Sequence, residues 1–216
     1  MKPRHFCSPS NRRRGFMLVD IILLIACLLV LSVFWFEHFR PHRKKAVRLN
    51  CVNNIRQVAL AYRIWAGDNG DLYPMEVFTN SAGRPAFTDT NGAWRYFQVM
   101  SNELSTPRLL VCPQDFGRRA ATNFTTDLDN QKLSYFIGLS ARCDTTNLLL
   151  AGDRNLVANS ARAGNQLSIG VNESIHWTED IHRFQGNVAL TDGSVLSLGP
   201  STPANWFGSN NWLLFP

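Results

Sequence analysis

Residues 16–36 read FMLVDIILLIACLLVLSVFWF, an apolar run in which Asp20 is the single charged side chain. With a helical rise of about 1.5 Å per residue, this run would span about 31 Å, close to the hydrocarbon thickness of a bilayer. A buried helix of this length in a chain of 216 residues would ordinarily carry a polar face. The stretch therefore predicts a membrane-spanning helix.

Basic residues flank the apolar run on both sides. Residues 1–15 hold five basic and no acidic side chains, so this segment carries most of the chain's net charge of +6. A nucleic-acid-binding domain should keep its positive charge in the folded part, which argues against that class. Basic residues also recur at 40–48, so the positive-inside rule does not settle the orientation of the helix.

A cleaved secretory signal peptide is the nearest alternative for the run. Such a peptide has an apolar region of about 7–15 residues that ends at small residues. Here the run is longer and continues into FEHFRPHRKK at 36–45, so we expect the helix to stay attached. Arg13-Arg14-x-Phe16-Met17 also resembles part of a twin-arginine export signal, although those signals usually have a milder apolar region and a later cleavage site.

Asp20 is unusual because an acid near the centre of a membrane helix costs about 2.5–3.5 kcal/mol on insertion scales and usually marks function. Two interpretations are open. Asp20 is only five residues into the run, so it can sit at the interface and snorkel or become protonated. Alternatively, it awaits a positively charged partner from another subunit.

Residues 12–20, RRRGFMLVD, resemble the type III signal of type IV prepilins and type II secretion pseudopilins. The resemblance implies that a prepilin peptidase cuts between Gly15 and Phe16 and methylates Phe16. In that family the fifth mature residue is an acid, usually Glu, that pairs with the N-terminal amine of a neighbouring subunit. Asp20 occupies this position, and a buried amine and carboxylate each cost less when they are paired.

Later segments resemble one group of prepilin-like proteins, found in Verrucomicrobia and related bacteria, that carry an H-X9-DG signature. His182 is followed by nine residues and then by Asp192-Gly193. Four further segments fit the same group: CVNNIRQ at 51–57, LVCPQD at 110–115, LSYFIG at 133–138 and AGDRN at 151–155.

The chain divides into a basic leader (1–15), the apolar helix (16–36), a helical continuation (37–66) and a β-rich domain (67–216). Pro41 should kink or break the helix where it leaves the membrane. A second helix is expected from 46 to 66, because its apolar residues recur every three or four positions and form one stripe: Cys51, Ile55, Val58, Tyr62 and Trp65. Gly67-Asp68-Asn69-Gly70 should end it.

The β-rich domain should contain mainly short strands. The patterns predict a short helix over 92–104, with Trp94, Phe97 and Leu104 facing inward, and loops at 79–92 and 155–172. Asp192-Gly193 between apolar residues predicts a tight hairpin, since such a turn needs positive φ angles. The strand candidates are Arg108–Cys112, Leu133–Leu139, Asn147–Ala151, Asn187–Leu190 and Ser194–Leu198.

Three of the five cysteines, Cys51, Cys112 and Cys143, lie in the expected extracytoplasmic part. An oxidising envelope would permit one disulfide among them. Cys51 with Cys112 is the favoured pair, because it would tie the long helix to the segment after it; Cys112 with Cys143 and no bridge are the alternatives. The sequence has no CxxC and no Cys/His cluster with zinc spacing, so it does not predict a zinc site.

The sequence contains no recognisable catalytic, metal-binding or cofactor-binding motif, so no catalytic residue, metal ligand or cofactor is predicted. His182 and Asp192 would suit acid–base chemistry or a metal, but a hairpin turn at Asp192 and a structural hydrogen bond from His182 explain them as well. Calcium binding is a lesser expectation than a purely structural domain. It is considered because some major pseudopilins bind calcium. Clustered oxygen ligands occur at two places, although Asx-rich turns also explain them: Asp68, Asn69 and Asp71, and Asp127, Asp129 and Asn130.

The expected fold is α+β: a long, kinked N-terminal helix packed on a small, mainly antiparallel sheet with long loops. The resemblance implies a filament subunit without enzymatic activity, in the inner membrane with its C-terminal domain in the periplasm. Its partners would be the prepilin peptidase, other pilin or pseudopilin subunits and an inner-membrane assembly platform, with no nucleic acid. The alternatives are an anchored periplasmic binding or enzymatic domain with an uncleaved helix, and a minor tip or adhesin subunit.

Overall fold

The computed structural model describes residues 18–79, 86, 92–160, 162–208 and 210–216, with side chains described for all of these except 37–45. The chain forms two compact units, and the boundary between them falls after Lys44. The fold is α+β with an apolar N-terminal helix and a mainly antiparallel sheet, as the sequence predicts. Most of the loop expected at 79–92 lies outside the described residues.

Helix α1 runs from Leu18 to Asp68 and begins with the apolar run. Leu18–Phe36 is long and apolar enough to cross a membrane, and none of it is buried against the protein. Residues on both sides of Pro41 belong to one helix, so of the predicted kink or break the break is wrong. Proline removes one backbone donor and disfavours the helical turn before it, but the residues on both sides keep their helical conformation.

The last part of α1 is amphipathic, as predicted. Its buried residues are the five of the expected stripe together with three neighbouring alanines: Cys51, Ile55, Val58, Ala59, Ala61, Tyr62, Trp65 and Ala66. The helix ends at Asp68, where the backbone N–H groups of Asn69 and Asp71 donate to the carbonyl of Ala66 at 3.0 and 2.9 Å. This capping satisfies a carbonyl that the helix itself leaves without a donor.

Three short helices follow: α2 (Pro74–Val77), α3 (Ala93–Val99) and α4 (Ser101–Leu104). The last two form the helical segment expected over 92–104, with Phe97 and Leu104 buried and Trp94 half-buried. The strand predicted at Arg108–Cys112 is wrong, because Pro107–Leu110 forms a 3₁₀ helix. Pro107 fixes a helical φ at its start, and the Thr106 side chain caps it by accepting from the Arg108 N–H.

Nine strands form two antiparallel sheets among the described residues. The six-stranded sheet has the order β4-β9-β1-β2-β6-β7, and the three-stranded sheet has the order β3-β5-β8. The strands are β1 (Tyr135–Gly138), β2 (Leu149–Asp153), β3 (Leu156–Ala158), β4 (Gln166–Ile169), β5 (Ser174–Trp177), β6 (Gly186–Leu190), β7 (Val195–Leu198), β8 (Ser201–Pro203) and β9 (Asn211–Leu214).

The strand predictions over 133–139, 147–151, 187–190 and 194–198 correspond to β1, β2, β6 and β7. The hairpin between β6 and β7 is confirmed, with an antiparallel register and Gly193 at φ +87°. The loop predicted at 155–172 is wrong, because it contains β3 and β4. Those strands are three and four residues long, too short for a pattern to reveal, and they pair with segments distant in sequence.

The core lies on both faces of the six-stranded sheet. Tyr135 and Ile137 of β1 join a hydrophobic cluster with the buried stripe of α1, whereas Phe136 joins a second cluster with Trp177 of the three-stranded sheet. The middle strands β1, β2 and β6 are buried along their whole length. This explains why these strands lack the apolar–polar alternation of a half-exposed sheet.

Candidate functional site

A buried group of four side chains lies where α1 meets the sheet, and we call it the Cys–His–Asp cluster. Cys51 comes from α1, Cys112 follows the first 3₁₀ helix, Asp153 is the last residue of β2 and His182 lies in the loop between β5 and β6. All four are buried. Each member comes from a different segment, so the cluster exists only in the folded domain.

The cysteines of the cluster form a disulfide. Cys51 and Cys112 have a Cα–Cα distance of 5.2 Å and are 61 residues apart in sequence. The bond ties α1 to the segment between α4 and β1, which is the pairing that the sequence favours. Cys143 is a half-buried free thiol, and Cys27 is a free thiol exposed on the apolar part of α1.

The imidazole of His182 lies between the disulfide and the carboxylate of the cluster. Its Nε2 is 3.3 Å from Cys112 Sγ and 3.4 Å from Asp153 Oδ2. Its Nδ1 is 2.5 Å from Gln114 Oε1. An amide oxygen only accepts, so Nδ1 carries a proton and donates a hydrogen bond to Gln114 Oε1. Nε2 then faces the sulfur and the carboxylate.

Asp153 is held by its neighbour on the next strand. Its Oδ2 accepts from the backbone N–H of Asn187 at 2.7 Å and from Asn187 Nδ2 at 2.9 Å. Its Oδ1 is buried and has no hydrogen-bond partner among the described residues. A buried carboxylate oxygen without a partner is costly, so Asp153 Oδ1 is an acceptor that the described side chains leave unused.

Burial moves the two titratable members of the cluster in opposite directions. Desolvation raises the pKa of Asp153 to about 7. Desolvation, followed by the nearby positive charge of Arg48, lowers the pKa of His182 to about 4. Since a low-dielectric environment penalises the charged form of each group, the interior favours an uncharged imidazole beside a carboxyl that titrates near neutrality.

The segment that carries His182 has an uncommon backbone conformation. His182, Arg183 and Phe184 have φ angles of 58°, 52° and 60°, and a left-handed conformation costs a non-glycine residue roughly 1–2 kcal/mol. Asn155 supports the segment, because its Nδ2 donates to the carbonyls of Thr178 at 2.9 Å and Ile181 at 2.8 Å. Such strain persists where the surroundings fix it and is concentrated at functional sites.

A partly buried ion pair lies in the same part of the domain. Arg154 Nε and one terminal nitrogen donate to the two oxygens of Asp115 at 2.8 and 2.9 Å, and the Ser134 hydroxyl donates to Asp115 Oδ2 at 2.8 Å. Hydrogen bonding to Asp115 raises the pKa of Arg154. Asp115 and Arg154 lie in the segments 110–115 and 151–155, which resemble segments of the prepilin-like group. That resemblance was the sequence signal for these two residues, but only the folded structure shows that they pair.

The N-terminal residues implicated by the resemblance lie at the edge of the structure. Gly15 and Phe16 are outside the described residues. Asp20 lies in the first turn of α1 and is exposed.

The three residues of the H-X9-DG signature take up two different roles. Asp192 and Gly193 form the turn between β6 and β7, where Asp192 Oδ1 accepts from the Ser194 N–H at 2.8 Å and the Asp192 carbonyl accepts from Arg63 at 2.5 Å. His182 has other partners, in the cluster. The signature therefore combines a turn with a cluster residue and does not form an acid–base pair of His182 with Asp192.

The acidic residues considered for calcium lie at turns and helix ends, and those at 127 and 129 have side-chain partners. Asp127 forms an ion pair with Lys132 and accepts from the Thr122 N–H at 2.6 Å, and Asp129 caps a 3₁₀ helix by accepting from the Gln131 N–H. Asp68 is the last residue of α1, and Asp71 has φ 59° in the turn after it.

Among the residues that the structure describes, one group of three potential metal ligands converges. The ligand atoms of Cys51, Cys112 and His182 all lie within 4.8 Å of one another. In the disulfide form the two sulfurs are bonded to each other and do not act as thiolate ligands. The sequence gives no hint of this group, because its members are scattered over more than half of the chain.

Comparison with protein-family models, with curated proteins and with solved structures found no match to this chain. Its function must therefore be inferred from its own residues.

Proposed function

We propose that this chain is a prepilin-like subunit that is cleaved after Gly15 and assembles through α1 into a type II secretion pseudopilus or a type IV pilus-like filament. One observation carries the proposal: a single helix begins as an exposed apolar rod over Leu18–Phe36 and ends as an amphipathic segment docked on an antiparallel sheet. A subunit of this kind needs the first part for assembly and the second part to hold its folded domain.

The exposed apolar surface of Leu18–Phe36 requires an apolar environment. Burial of apolar surface is favourable by about 25 cal/mol per Å², and no residue of this stretch is buried within the described part of the protein. Before assembly the lipid bilayer supplies that environment. In the filament, the corresponding helices of other subunits supply it.

Asp20 gives the assembly its register in this proposal. The new amine of Phe16 in one subunit pairs with the Asp20 carboxylate of its neighbour, and this pairing fixes the stagger between them. Cleavage and methylation would require the prepilin peptidase, and assembly would require an inner-membrane platform with a separate motor.

The folded domain would face the periplasm. The disulfide between Cys51 and Cys112 is consistent with this location, because disulfides persist in oxidising compartments and are rare in the cytosol. The competing function is that of an anchored binding or enzymatic domain whose helix is never cleaved and does not self-associate.

Substitution of Asp20 tests the assembly role. Asp20→Ala should reduce the sedimentable polymeric fraction at least tenfold in cells that assemble the wild-type chain, because it leaves the neighbouring amine buried without a counter-charge. The control is Asp68→Ala, which removes an acid from the other end of α1 and should assemble normally. Polymers of Asp20→Ala at the wild-type level would show that the proposed charge pair is wrong.

A further inference from the structure

The disulfide alone does not explain the composition of the Cys–His–Asp cluster. Two sulfurs and one imidazole nitrogen, the donor types that zinc prefers in structural sites, converge within 4.8 Å in a largely buried position. A disulfide by itself requires neither a histidine at 3.3 Å from its sulfur nor a carboxylate behind that histidine.

The imidazole is already oriented as a metal ligand. A metal-bound histidine usually donates its other ring N–H to an oxygen acceptor, which fixes the tautomer and the ring plane. His182 does so through Nδ1 and Gln114 Oε1. The lone pair of its Nε2 is thereby left facing the sulfur of Cys112.

Asp153 offers an oxygen ligand beside this group, although it lies outside the set of atoms that are mutually within 4.8 Å. Its Oδ2 is 3.4 Å from the same Nε2 atom, and Asn187 fixes the carboxylate through two hydrogen bonds. Its Oδ1 has no hydrogen-bond partner in the part of the chain that the structure describes, so the carboxylate keeps an oxygen that can accept. Arg48 lies close enough to act electrostatically on both His182 and Asp153, and its positive charge would offset the excess negative charge of two thiolates and a carboxylate around one divalent ion.

We propose that, when Cys51 and Cys112 are reduced, they form a tetrahedral zinc site with His182 and Asp153, and that zinc and the disulfide are alternative occupants of this position. Zinc binding converts the two thiols to thiolates and releases their two protons. Oxidation of the loaded site transfers two electrons from the thiolates to a disulfide oxidant, which takes up two protons to become a dithiol. The new sulfur–sulfur bond replaces the two zinc–sulfur bonds, and the zinc ion is released.

The test uses the full-length chain in detergent with Cys7, Cys27 and Cys143 replaced by serine, so that the thiols of the cluster are the only ones present. The chain is reduced with a phosphine and titrated with Co²⁺, whose visible and thiolate charge-transfer bands report tetrahedral sulfur coordination. We expect these bands to saturate at one ion per chain, to disappear when Zn²⁺ is added, and to be absent from the oxidised chain.

Variants that keep both cysteines separate the site from simple thiol binding. Asp153→Asn and His182→Gln should each weaken the metal affinity by about 10- to 100-fold, whereas the matched control Asp192→Asn should bind like the parent. Circular dichroism before and after metal addition reports whether each variant is folded, and recovery of folding upon Zn²⁺ addition would also support the site. Absence of the cobalt bands in the reduced parent, or unchanged affinity in a folded Asp153→Asn and a folded His182→Gln chain, would overturn the proposal.

Discussion

The two ends of α1 are both rich in large apolar side chains, but they differ in what covers those side chains. Leu18–Phe36 has apolar residues on every side and is exposed throughout, whereas the segment from Cys51 to Ala66 buries one stripe and leaves its other residues half-buried or exposed. The difference comes from the polar residues of the second segment, which confine its apolar residues to one face. The first segment has no such face and is long and apolar enough to span a membrane; in the proposed function, lipid or other subunits cover it.

The largest expected effect concerns the disulfide that anchors the docked end of α1. The double variant Cys51→Ser/Cys112→Ser should lower the free energy of unfolding of the domain by about 4 kcal/mol, because the bond closes a long loop in the unfolded chain. Urea unfolding of metal-free chain in detergent measures this change. Cys27→Ser, in the exposed end of the same helix, should leave the unfolding free energy unchanged. An equal loss of unfolding free energy in both variants would show that the two ends of α1 do not differ in this respect.

A second pair of substitutions compares two faces of the docked segment. Ile55 is fully buried and Leu60 is 55% exposed. Ile55→Ala should therefore lower the unfolding free energy by about 3 kcal/mol, and Leu60→Ala should change it by less than about 0.5 kcal/mol. Both are measured by urea unfolding, and similar losses at the two positions would mean that Leu60 is covered in the folded protein.

A third prediction concerns the pH dependence of the docked domain in its disulfide form. Asp153 has a pKa of about 7 in the folded chain and a usual value of 3.8, so the folded state binds more protons between these values and this group lowers stability as pH rises. His182 has a pKa of about 4 and a usual value of 6.5, so the unfolded state binds more protons and this group raises stability as pH rises. The two slopes largely cancel between about pH 4 and 6.5, where each is at most about 1.4 kcal/mol per pH unit.

Single substitutions should reveal these opposing slopes. Between about pH 4.5 and 6.5, stability should rise with pH in Asp153→Asn, because His182 then acts alone, and fall with pH in His182→Gln. Urea unfolding at several pH values measures both slopes. Equal slopes in the two variants would show that the pair does not titrate as described.

The smallest expected effect is at the hairpin turn, far in sequence from α1. Gly193 has φ +87°, and an added Cβ would lie 2.9 Å from a terminal nitrogen of Arg63, so Gly193→Ala should cost about 1 kcal/mol. Gly199 has no atom within 4 Å of such a Cβ. Gly199→Ala is therefore the matched control and should be near neutral, which thermal unfolding of the two variants can compare.

Local patterns were sufficient for the parts of the fold that depend on local chemistry. The apolar run, the stripe from Cys51 to Trp65 and the turn at Asp192-Gly193 follow from hydrophobic periodicity and from the positive φ that a tight hairpin needs. The segment at Arg108–Cys112 was misread because an apolar run after proline fits a strand as well as a 3₁₀ turn. Strands β3, β4, β5, β8 and β9 depend on partners far along the chain, which no short window contains.

The candidate site was harder to predict than the fold. The Cys51–Cys112 pair was one of three alternatives that the sequence allowed. The approach of His182 to Asp153 and Cys112 was not foreseen, because it depends on a left-handed segment of three non-glycine residues. Asp115 and Arg154 lie in segments with a recognisable resemblance, but their ion pair joins residues 39 positions apart and depends on the folded chain.

The most direct test of the central claim is the N-terminal mass of the chain isolated from native membranes. Intact-mass and N-terminal peptide analysis should find a chain that begins at Phe16 and is heavier by one methyl group, as a processed prepilin-like subunit requires. A chain that still begins at Met1, in cells with an active prepilin peptidase, would contradict the proposal and leave a membrane-anchored domain.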